Sequence, residues 1–564
     1  MNLFLVGDRG DAGRAVDVLE SLRAPFFPDG GVTRLPGGAC LAHPPERVGG
    51  VSYCAVDGDR FALFAGRPVL WDGDDADGRG VLDPSLYLEG VPEGLDGRFA
   101  VVRSGGGGAL EARTDPLGAY PVYRSDGWVS NSPAALAAVT GRQRLSQDAL
   151  ASVLGGGWSL GGGPLWEGIT RVPWHAATPD GAREIAALCG AGFDAARAAR
   201  LLVSGLRALA DWPGRPNVVL VTGGRDSRLI AAAARRAGFE FVARTGGSED
   251  APDVVVGREV CAALGLDHGL LEPHPFGDFQ RVWQEMARVL AQTTGGTATL
   301  ADAAGFPLGP SGGPLPLWHT GQGGEIARGY SGAAGEDELL RRFLGERPGR
   351  SSPLSGAGRE RAAGMVRAWA ADQRAAGAGH EDLGDLFYLH QRMARWAAPT
   401  HAAVEPVRDS TSALWSWRLL PDLLGLPASA RRSEGFQQAV LAELAPELVP
   451  VGYADRPTRG AGAVVRKVWA ELGRRARGLG YRNHALSGLD SPVGPNDPFT
   501  AALVGIRALA SATADAGHPA WTVLDRRRVE ALLDGRPLDE MSRQYVWRLA
   551  TVLAGFLPDG PLAQ

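Results

Sequence analysis

The sequence predicts a two-domain protein, with a β-rich domain over residues 1–192 and an α/β domain over residues 193–564. The length of 564 residues is too great for one hydrophobic core. Up to about residue 190, short β-rich segments such as "RFALFAG" and "GRFAVVRS" are separated by Gly, Asp and Pro. From Phe193 onward, strands and helices alternate at the spacing of a parallel sheet with helices on its faces.

The individual elements are predicted from local patterns. "SQDALASVLGGG", from Ser146, predicts a capped helix, and the glycines at 105–108 predict a hairpin tip because no helix follows them. Apolar residues at helical spacing in "FDAARAARLLVSGLRALADW" predict a helix. After it, the alternation predicts a strand at 218–221, a helix at 226–236, a strand at 239–243, a helix at 252–264 and a strand at 269–271. From about Leu339 the chain is predicted to be mostly helical, with an exposed loop at "RPGRSSPLSGAGRE".

Composition argues against several classes of protein. The net charge of −5 provides no general attraction to nucleic acid or to an anionic membrane. No apolar run reaches the length of about 18 residues that spans a bilayer, and the first residues lack the basic and apolar regions of a signal peptide. Four widely separated cysteines argue against a zinc site or a disulfide framework. We therefore expect a cytoplasmic protein with no nucleic-acid partner and no membrane span.

One stretch, "NVVLVTGGRDSRLIAAAARRAG", predicts a ligand-binding turn between a buried strand and a helix. Ligands of parallel α/β sheets bind beyond the carboxyl ends of strands, where Gly223 and Gly224 permit close approach. The amides of the loop and of the helix N-terminus favour an anion, and Ser227 adds a hydroxyl donor. Asp226 beside an anion suggests a shared cation, for which Mg²⁺ is the usual choice. The physical interpretation is a pyrophosphate or nucleotide loop; the alternative is a glycine turn with Asp226 as an N-cap.

The same stretch carries a resemblance to a known family. "VTGGRDS" is similar to the S-G-G-x-D-S pyrophosphate loop of the asparagine synthetase family, with Thr222 in place of the first Ser. "TGQGGEIARGY", from Thr320, resembles the second phosphate-side motif of that family, S-G-E-G-x-D-E. "LDGRFAVVRSGGGGALEARTDPLGAYPVYRS", "SNSPAALAA" and "LWEGITRVP" resemble its N-terminal domain. The order and spacing of these segments over residues 95–330 carry the resemblance.

The resemblance implies both fold and chemistry. It implies an N-terminal α+β Ntn-hydrolase-like sandwich, of the glutamine amidotransferase type, and a C-terminal α/β parallel-sheet PP-loop ATP pyrophosphatase domain with a large helical C-terminal part. In the family, the first domain frees ammonia with a cysteine exposed after Met1 is removed. The second domain adenylates a carboxylate with ATP and Mg²⁺, and an amine displaces AMP.

This chain departs from the family at the glutaminase nucleophile. Asn2 stands at the cysteine position, no cysteine precedes Cys40, and an amide is no nucleophile of this kind. The resemblance therefore implies a degenerate glutaminase domain. β-lactam synthetases, carbapenam synthetases and lasso-peptide macrolactam cyclases share this loss, and in all three the amine comes from the substrate.

The resemblance assigns site residues at the positions of this chain that match the family motifs. The resemblance implies that ATP is bound by two glycine-rich segments, and that Asp226 and Glu325 hold Mg²⁺. The segments contribute Thr222, Gly223, Gly224, Asp226, Ser227, Gly321 and Gly323. Glu325 is Glu where the family usually has Asp, and the alternative is a solvated loop acid. Asp253 matches a family acidic position, but capping of a helix explains it equally well.

The general base and a late cation are less closely matched. Gln322 cannot act as a base, so Glu405, in "VEPVRDS", is the candidate; its alternative is a structural, ion-paired acid. Arg408 falls one place late for the family pattern V-E-x-R-x-P-x-x-D. Thr458 stands at the position of the family lysine, so Arg459 or Lys467, the only lysine of the chain, is expected to supply the positive charge.

Two histidines and two tryptophans complete the set of candidate residues. His268 and His319 are expected to be structural, whereas Trp318 and Trp396 are expected either to line a substrate cavity or to belong to the core.

Three functions remain open. The first is an ATP-dependent macrolactam cyclase of lasso-type peptide biosynthesis, acting on a peptide with a leader-peptide-binding or protease partner. The second is the same chemistry on a small-molecule carboxylate and amine, within one molecule as in β-lactam synthetases or between two. The third is a catalytically silent nucleotide-binding partner, which the changes at Gln322, Glu325 and Thr458 motivate.

Overall fold

The computed structural model of this chain shows an α/β protein with two antiparallel sheets, one parallel sheet and many helices. The residues that it describes are 3–7, 12–23, 30–43, 53–73, 77–104, 109–212, 215–271, 276–303, 315–329, 335–345, 352–405, 408–454, 498–534 and 538–556. Among these residues, no helix combines the length and the apolar character needed to cross a membrane.

The antiparallel strands all lie in the first part of the chain. They are β1 (Leu3–Gly7), β2 (Gly31–Arg34), β3 (Cys40–His43), β4 (Cys54–Asp57), β5 (Arg60–Trp71), β6 (Gly78–Gly80), β7 (Leu95–Ser104), β8 (Leu110–Thr114), β9 (Tyr123–Ser125), β10 (Trp128–Ser130) and β11 (Thr170–Arg171). One sheet has the order β11-β9-β10-β1-β3-β2, and the other has the order β4-β5-β7-β8 with β6 paired to β5. The predicted tip at residues 105–108 lies outside the described residues, but β7 and β8 on either side of it pair as an antiparallel hairpin.

The alternation of side chains along β5 explains how these sheets pack. Phe61 and Leu63 point to one face and share a buried cluster with Phe4 of β1, so the two antiparallel sheets pack against each other. Ala62 and Phe64 point to the opposite face and join a second cluster. β5 is therefore apolar almost throughout, as expected for a strand that is covered on both faces.

The helices and the parallel strands occupy most of the rest of the chain. The helices are α1 (Ala12–Arg23), α2 (Pro133–Thr140), α3 (Gln147–Gly156), α4 (Pro179–Leu188), α5 (Ala195–Ala210), α6 (Arg225–Ala237), α7 (Pro252–Leu264), α8 (Phe276–Thr294), α9 (Leu300–Ala303), α10 (Glu336–Phe343), α11 (Gly356–Ala375), α12 (Leu383–Phe387), α13 (Ala398–Val404), α14 (Leu420–Gly425), α15 (Ala428–Arg432), α16 (Gly435–Leu444), α17 (Pro498–Asp515), α18 (Arg526–Leu532) and α19 (Glu540–Gly555). A π-helix spans Tyr388–Ala397 between α12 and α13. The parallel strands are β12 (Asn217–Leu220), β13 (Val242–Thr245), β14 (His268–Leu270), β15 (Leu317–His319) and β16 (Asp409–Thr411).

The predicted alternation is confirmed, with small shifts in the ends of elements. The helix predicted at 252–264 has those bounds, because Pro252 starts it and Gly265 ends it in a left-handed conformation. The strand predicted at 239–243 is displaced to Val242–Thr245. The helix predicted from Ser146 is also confirmed, with the Ser146 side chain accepting the amide of Ala149.

One local prediction is wrong. The segment predicted as an exposed loop from Arg347 contains Ser352 and Leu354, which are both fully buried. Leu354 forms an isolated bridge with Leu524, and α11 begins only two residues later. Tertiary packing against the C-terminal helices covers a stretch whose glycine- and serine-rich composition indicates exposure.

The order of the parallel strands places the ligand-binding edge. The order is β14-β13-β12-β15-β16, so the chain leaves β12 toward one side of the sheet and later continues from β15 toward the other. The carboxyl ends of β12 and β15 therefore flank the point where the strand order reverses. Open α/β sheets bind their ligands in the crevice at this switch point.

The predicted boundary at 192/193 coincides with the change from antiparallel to parallel sheets, but one core crosses it. Leu3, Trp71, Val219 and Leu553 all belong to the same buried hydrophobic cluster. The two halves of the chain thus share apolar surface, and the division into domains stays a prediction.

Two buried histidines predict loss of stability in acid. Burial lowers the pKa of His319 and of His390 from 6.5 to about 3 in each case. The unfolded chain then binds more protons than the folded chain below pH 6.5, so each histidine lowers the free energy of unfolding by about 1.4 kcal/mol per pH unit as pH falls. We expect that His319→Gln, which retains a donor for Asn217, reduces the acid slope by this amount in denaturant unfolding measured at pH 5, 6 and 7.5. An unchanged slope would contradict a neutral His319 in the folded protein.

Candidate functional site

The connection between β12 and α6 is stabilised by hydrogen bonds of its own hydroxyl groups. Ser227 Oγ lies 3.1 Å from Thr222 N, which donates to it, and 2.8 Å from Thr222 Oγ. Gly224 N donates in turn to Thr222 Oγ at 3.1 Å. Thr222, where the resembled family has Ser, therefore makes the contacts that shape the turn.

The first turn of α6 offers amides to a ligand. The helix starts at Arg225 after Gly224, which as N-cap has no side chain to satisfy the free N–H groups of the first turn. The N–H groups of Asp226 and Ser227 consequently face the end of the helix, where an anion is stabilised. The alternative of Asp226 as an N-cap is not what the structure has, because Asp226 is the second helical residue.

Asp253 supports this loop from the neighbouring helix. Its Oδ1 accepts the N–H of Gly223 at 3.0 Å. The N-cap of α7 is Ala251, so Asp253 lies in the first turn rather than at the cap. Its contact to Gly223 gives Asp253 a positioning role at the loop.

The second glycine-rich segment, which follows β15, packs directly on the first. A Cβ atom on Gly321 would lie 2.7 Å from Ser227 N, and one on Gly324 would overlap Asp226 Oδ1. Gly323 has φ of 100°, in the left-handed region that favours glycine. The structure therefore brings together the two segments that the sequence analysis singled out, across the switch point of the sheet.

Two carboxylates meet one guanidinium at this junction. Arg328 Nη2 lies 2.9 Å from Asp226 Oδ2 and 3.5 Å from Glu325 Oε1. Gln437 Nε2 donates to Asp226 Oδ1 at 3.1 Å. Burial, together with the charge of Glu325, raises the pKa of Asp226 to about 6, while Arg328 and Gln437 act in the opposite direction.

These residues can hold Mg²⁺ only together with a ligand. Asp226 and Glu325 supply carboxylate oxygens around a common point, which suits a hard cation. Over the described parts of the chain, no group of three or more His, Cys, Asp or Glu side chains is placed to hold a metal ion. One or two carboxylates completed by phosphate oxygens and water are the typical ligands of Mg²⁺, so the site fits Mg²⁺ shared with a nucleotide.

The residues that hold α6 in place were not among those predicted from the sequence. Arg225 pairs with Glu434 at 2.6 Å, and Tyr453 lies under the guanidinium groups of Arg225 and Arg228 at 4.3 and 4.1 Å. Arg228 also donates to the carbonyls of residues 451 and 452. Arg328 could have been predicted as a partner of Glu325, because it is the third residue after it and lies one helical turn further on. Gln437 and Tyr453 are distant in sequence, and no local pattern indicated their contacts.

Glu405 lies away from the loop. It precedes β16, so it is near the amino end of that strand, while the loop follows the carboxyl end of β12. Glu405 Oε2 accepts Arg98 Nη2 at 2.9 Å, and both side chains are 6% exposed. The structure thus does not bring Glu405 to the candidate site, and its contact matches the alternative of a structural, ion-paired acid.

Replacement of Glu405 separates the two roles. We expect Glu405→Gln to lower the free energy of unfolding by about 3 kcal/mol, because it leaves the Arg98 charge buried without its counter-ion. Thermal unfolding at pH 7.5 measures this effect. A variant with unchanged stability and lost amide formation would instead identify Glu405 as the base.

Three of the predicted residues lie outside the described part of the chain. They are Arg459, Lys467 and Thr458. The Gln322 carbonyl accepts a hydrogen bond from Ser412 Oγ at 2.6 Å.

The histidines and tryptophans make local contacts. His319 bonds to Asn217 and His268 to Thr245, which fits the structural roles expected for both. Trp318 lies under Arg408 at 4.6 Å, and Trp396 donates to Asp302 at 2.7 Å.

Comparison with known proteins adds no assignment. No family model matches the chain. No curated protein matches it either. Fold and site define an α/β protein with two interlocked glycine-rich turns at the switch point of a parallel sheet.

Proposed function

We propose that this protein is an ATP-dependent amide ligase that adenylates a substrate carboxylate, releasing pyrophosphate, and lets a substrate amine displace AMP. The observation that carries the proposal is the interlocking of the two glycine-rich segments, where Gly321 and Gly324 lie too close to Asp226 and Ser227 for any Cβ atom. The resemblance of both segments to the asparagine synthetase family supports the same conclusion.

Each part of the site has a task in this proposal. The amides of Asp226 and Ser227, with the hydroxyl groups of Thr222 and Ser227, would bind phosphate oxygens. Asp226 and Glu325 would hold Mg²⁺, and Arg328 would remain beside them as a fixed positive charge. ATP and Mg²⁺, when bound, supply the activated phosphoryl group to which the carboxylate becomes attached.

The amine is expected to come from the substrate. The resemblance assigns Asn2 to the position of the family cysteine, and an amide cannot replace the thiol that glutamine hydrolysis requires. Holding amine and acyl adenylate in one site makes their reaction effectively unimolecular, which supplies on the order of 7 to 11 kcal/mol of the barrier. Glu405 is not part of this proposal as a base. An amine that arrives neutral needs no base to become a nucleophile, and the proton that it loses on forming the amide passes to solvent. A late cation from Arg459 or Lys467 stays a prediction.

Macrolactam closure in a lasso-type peptide is the favoured reaction, and two alternatives remain. The first is closure or coupling of a small molecule by the same adenylation chemistry. The second is a silent nucleotide-binding partner, which the ion pair of Asp226 with Arg328 favours because it occupies a predicted Mg²⁺ ligand. In the peptide case, a leader-peptide-binding or protease partner is expected to act on the same substrate.

The test uses purified full-length protein with ATP, Mg²⁺ and the precursor peptide or acid encoded or made beside its gene. Mass spectrometry follows AMP and the substrate mass together. We expect AMP and the loss of one water from the substrate, and we expect both to disappear in Asp226→Asn. The matched control is Asp148→Asn, an acid in an exposed pair with Arg361, which should retain full activity.

The outcomes separate the alternatives. AMP with a gain in mass indicates coupling to a separate amine. AMP production that is identical in Asp226→Asn and in the unmodified protein contradicts the proposed site. ATP binding without AMP for any of these substrates contradicts the ligase and supports the silent partner.

A further inference from the structure

A π-helix starts next to the candidate ATP site. Tyr388 is its first residue, and it is close enough to Arg328 to raise the pKa of that guanidinium. π-Helical turns are rare in proteins, and those that occur as single-turn bulges inside α-helices are frequent at functional sites. This segment continues to Ala397.

Two arginines of the π-helix lie on tryptophan rings. Arg392 lies 4.0 Å from the Trp396 ring centre, and Arg395 lies 5.7 Å from that of Trp174. Trp396 is held by its bond to Asp302. A guanidinium stacked in this way presents its N–H edge, rather than its face, to a ligand.

These arginines are not paired with carboxylates. In the described residues, no Asp or Glu lies within ion-pair distance of Arg392 or Arg395, nor of their neighbours Arg171 and Arg548. Arg171 donates instead to the backbone carbonyls of Ala394 and Gly118, and Arg548 donates to that of Gly155. Asp302, which lies near Arg548, is already bound by Thr299 and Trp396. Asp115 also lies near Arg171, so this group of four guanidinium groups has two carboxylates near it, Asp302 and Asp115.

Two buried donors next to each other also have no acceptor. Arg395 Nη1 donates to Gln391 Oε1 at 3.0 Å, which joins the two side chains. Arg395 Nε and Gln391 Nε2 are both buried and lack a hydrogen-bond partner within the described chain. Gln391 is 0% exposed, whereas Arg392 and Arg395 remain partly accessible. Buried donors without acceptors are costly, so the site favours a ligand that brings acceptor oxygens.

The charge of Arg395 also favours a ligand with acceptor oxygens. Burial, together with the charge of Arg171, lowers the pKa of Arg395 to about 9, which is the expected response of a guanidinium without a counter-ion. A carboxylate supplies both the negative charge and two acceptor oxygens, in a geometry that matches a guanidinium edge.

We propose that Arg395 and Gln391 form a binding site for a carboxylate group of the substrate, separate from the ATP site. Its identification as a substrate site rests on the proposed function, whereas its affinity for carboxylates does not. The substrate then carries a carboxylate in addition to the one that reacts.

Calorimetric titration of the full-length protein with glutarate, without ATP and at constant ionic strength, tests the site. We expect saturable binding that weakens at least tenfold in Arg395→Gln. Arg367→Gln is the matched control, because that arginine is exposed and paired with Glu360 on α11. Thermal unfolding shows whether each variant is folded, and Arg395→Lys is expected to recover part of the affinity if Arg395→Gln is unstable.

Two results overturn the proposal. One is no saturation at about 10 mM glutarate, a concentration well above a Kd of 1 mM. The other is equal affinity in folded Arg395→Gln and in the unmodified protein. Failure of the proposed ligase is distinguishable, because glutarate binding that depends on Arg395 together with no AMP formation contradicts only the ligase.

Discussion

Replacing Asp409 with asparagine is expected to lower the free energy of unfolding by about 3 to 5 kcal/mol. Asp409 Oδ2 lies 2.5 Å from Arg67 Nη2 and 2.6 Å from Arg215 Nη1, and all three side chains are buried. Burial alone raises the pKa of Asp409, but the two guanidinium groups hold it well below its usual range. A neutral amide at this position would leave two buried positive charges without their common counter-ion. Denaturant unfolding at pH 7.5 measures the loss.

Two comparisons sharpen this prediction. Asp148→Asn breaks an exposed pair with Arg361 and is expected to cost less than about 1 kcal/mol. Replacing Asp409, Arg67 and Arg215 together with apolar residues of similar size should recover most of the lost stability, because no unpaired charge is then buried. Equal effects of Asp409→Asn and Asp148→Asn would show that the buried cluster does not hold the sheets together.

The Gly324→Ala variant is expected to reduce AMP formation by about 100-fold or more. The added methyl group would overlap the carboxylate of Asp226, which would have to leave its contacts with Arg328 and Gln437. Overpacking at one position costs about 1 to 3 kcal/mol, so the protein should remain folded while the loop is displaced. Thermal unfolding and the AMP assay on the same preparation separate the two effects.

Gly364→Ala is the matched control for this glycine. Gly364 lies within α11, and a Cβ atom there would meet no other atom within 4 Å. Alanine in place of glycine in a helix interior is expected to stabilise the protein by about 1 kcal/mol and to leave AMP formation unchanged. Normal activity in Gly324→Ala would contradict the role assigned to the contact between the two glycine-rich segments.

Local patterns in the sequence were sufficient for much of the fold. Ser146 capped the helix predicted after it, and Pro252 and Gly265 set both ends of α7, because caps act on the backbone of their own turn. The alternation of strands and helices after Phe193 predicted the parallel sheet. The turn at Gly223 was placed correctly between β12 and α6 for the same reason.

Contacts between distant segments were beyond the sequence. Burial of Leu354 depended on Leu524, and the ion pair of Glu405 depended on Arg98, more than 300 positions earlier. The residues next to an acidic side chain in the sequence do not show whether it binds a substrate or a buried arginine. For this reason, Glu405 could be proposed as a base from its sequence neighbours alone.

The sequence by itself determined which residues form the two glycine-rich segments and which strand the first of them follows, because glycine content and strand periodicity are local properties. Only the tertiary structure decided that the strands carrying them are neighbours at the switch point, so that Gly321 meets Ser227 and Arg328 meets Asp226. It also decided that the arginines of the π-helix lack carboxylate partners within the described chain. Strand order and charge pairing depend on how distant segments pack, which no local pattern encodes.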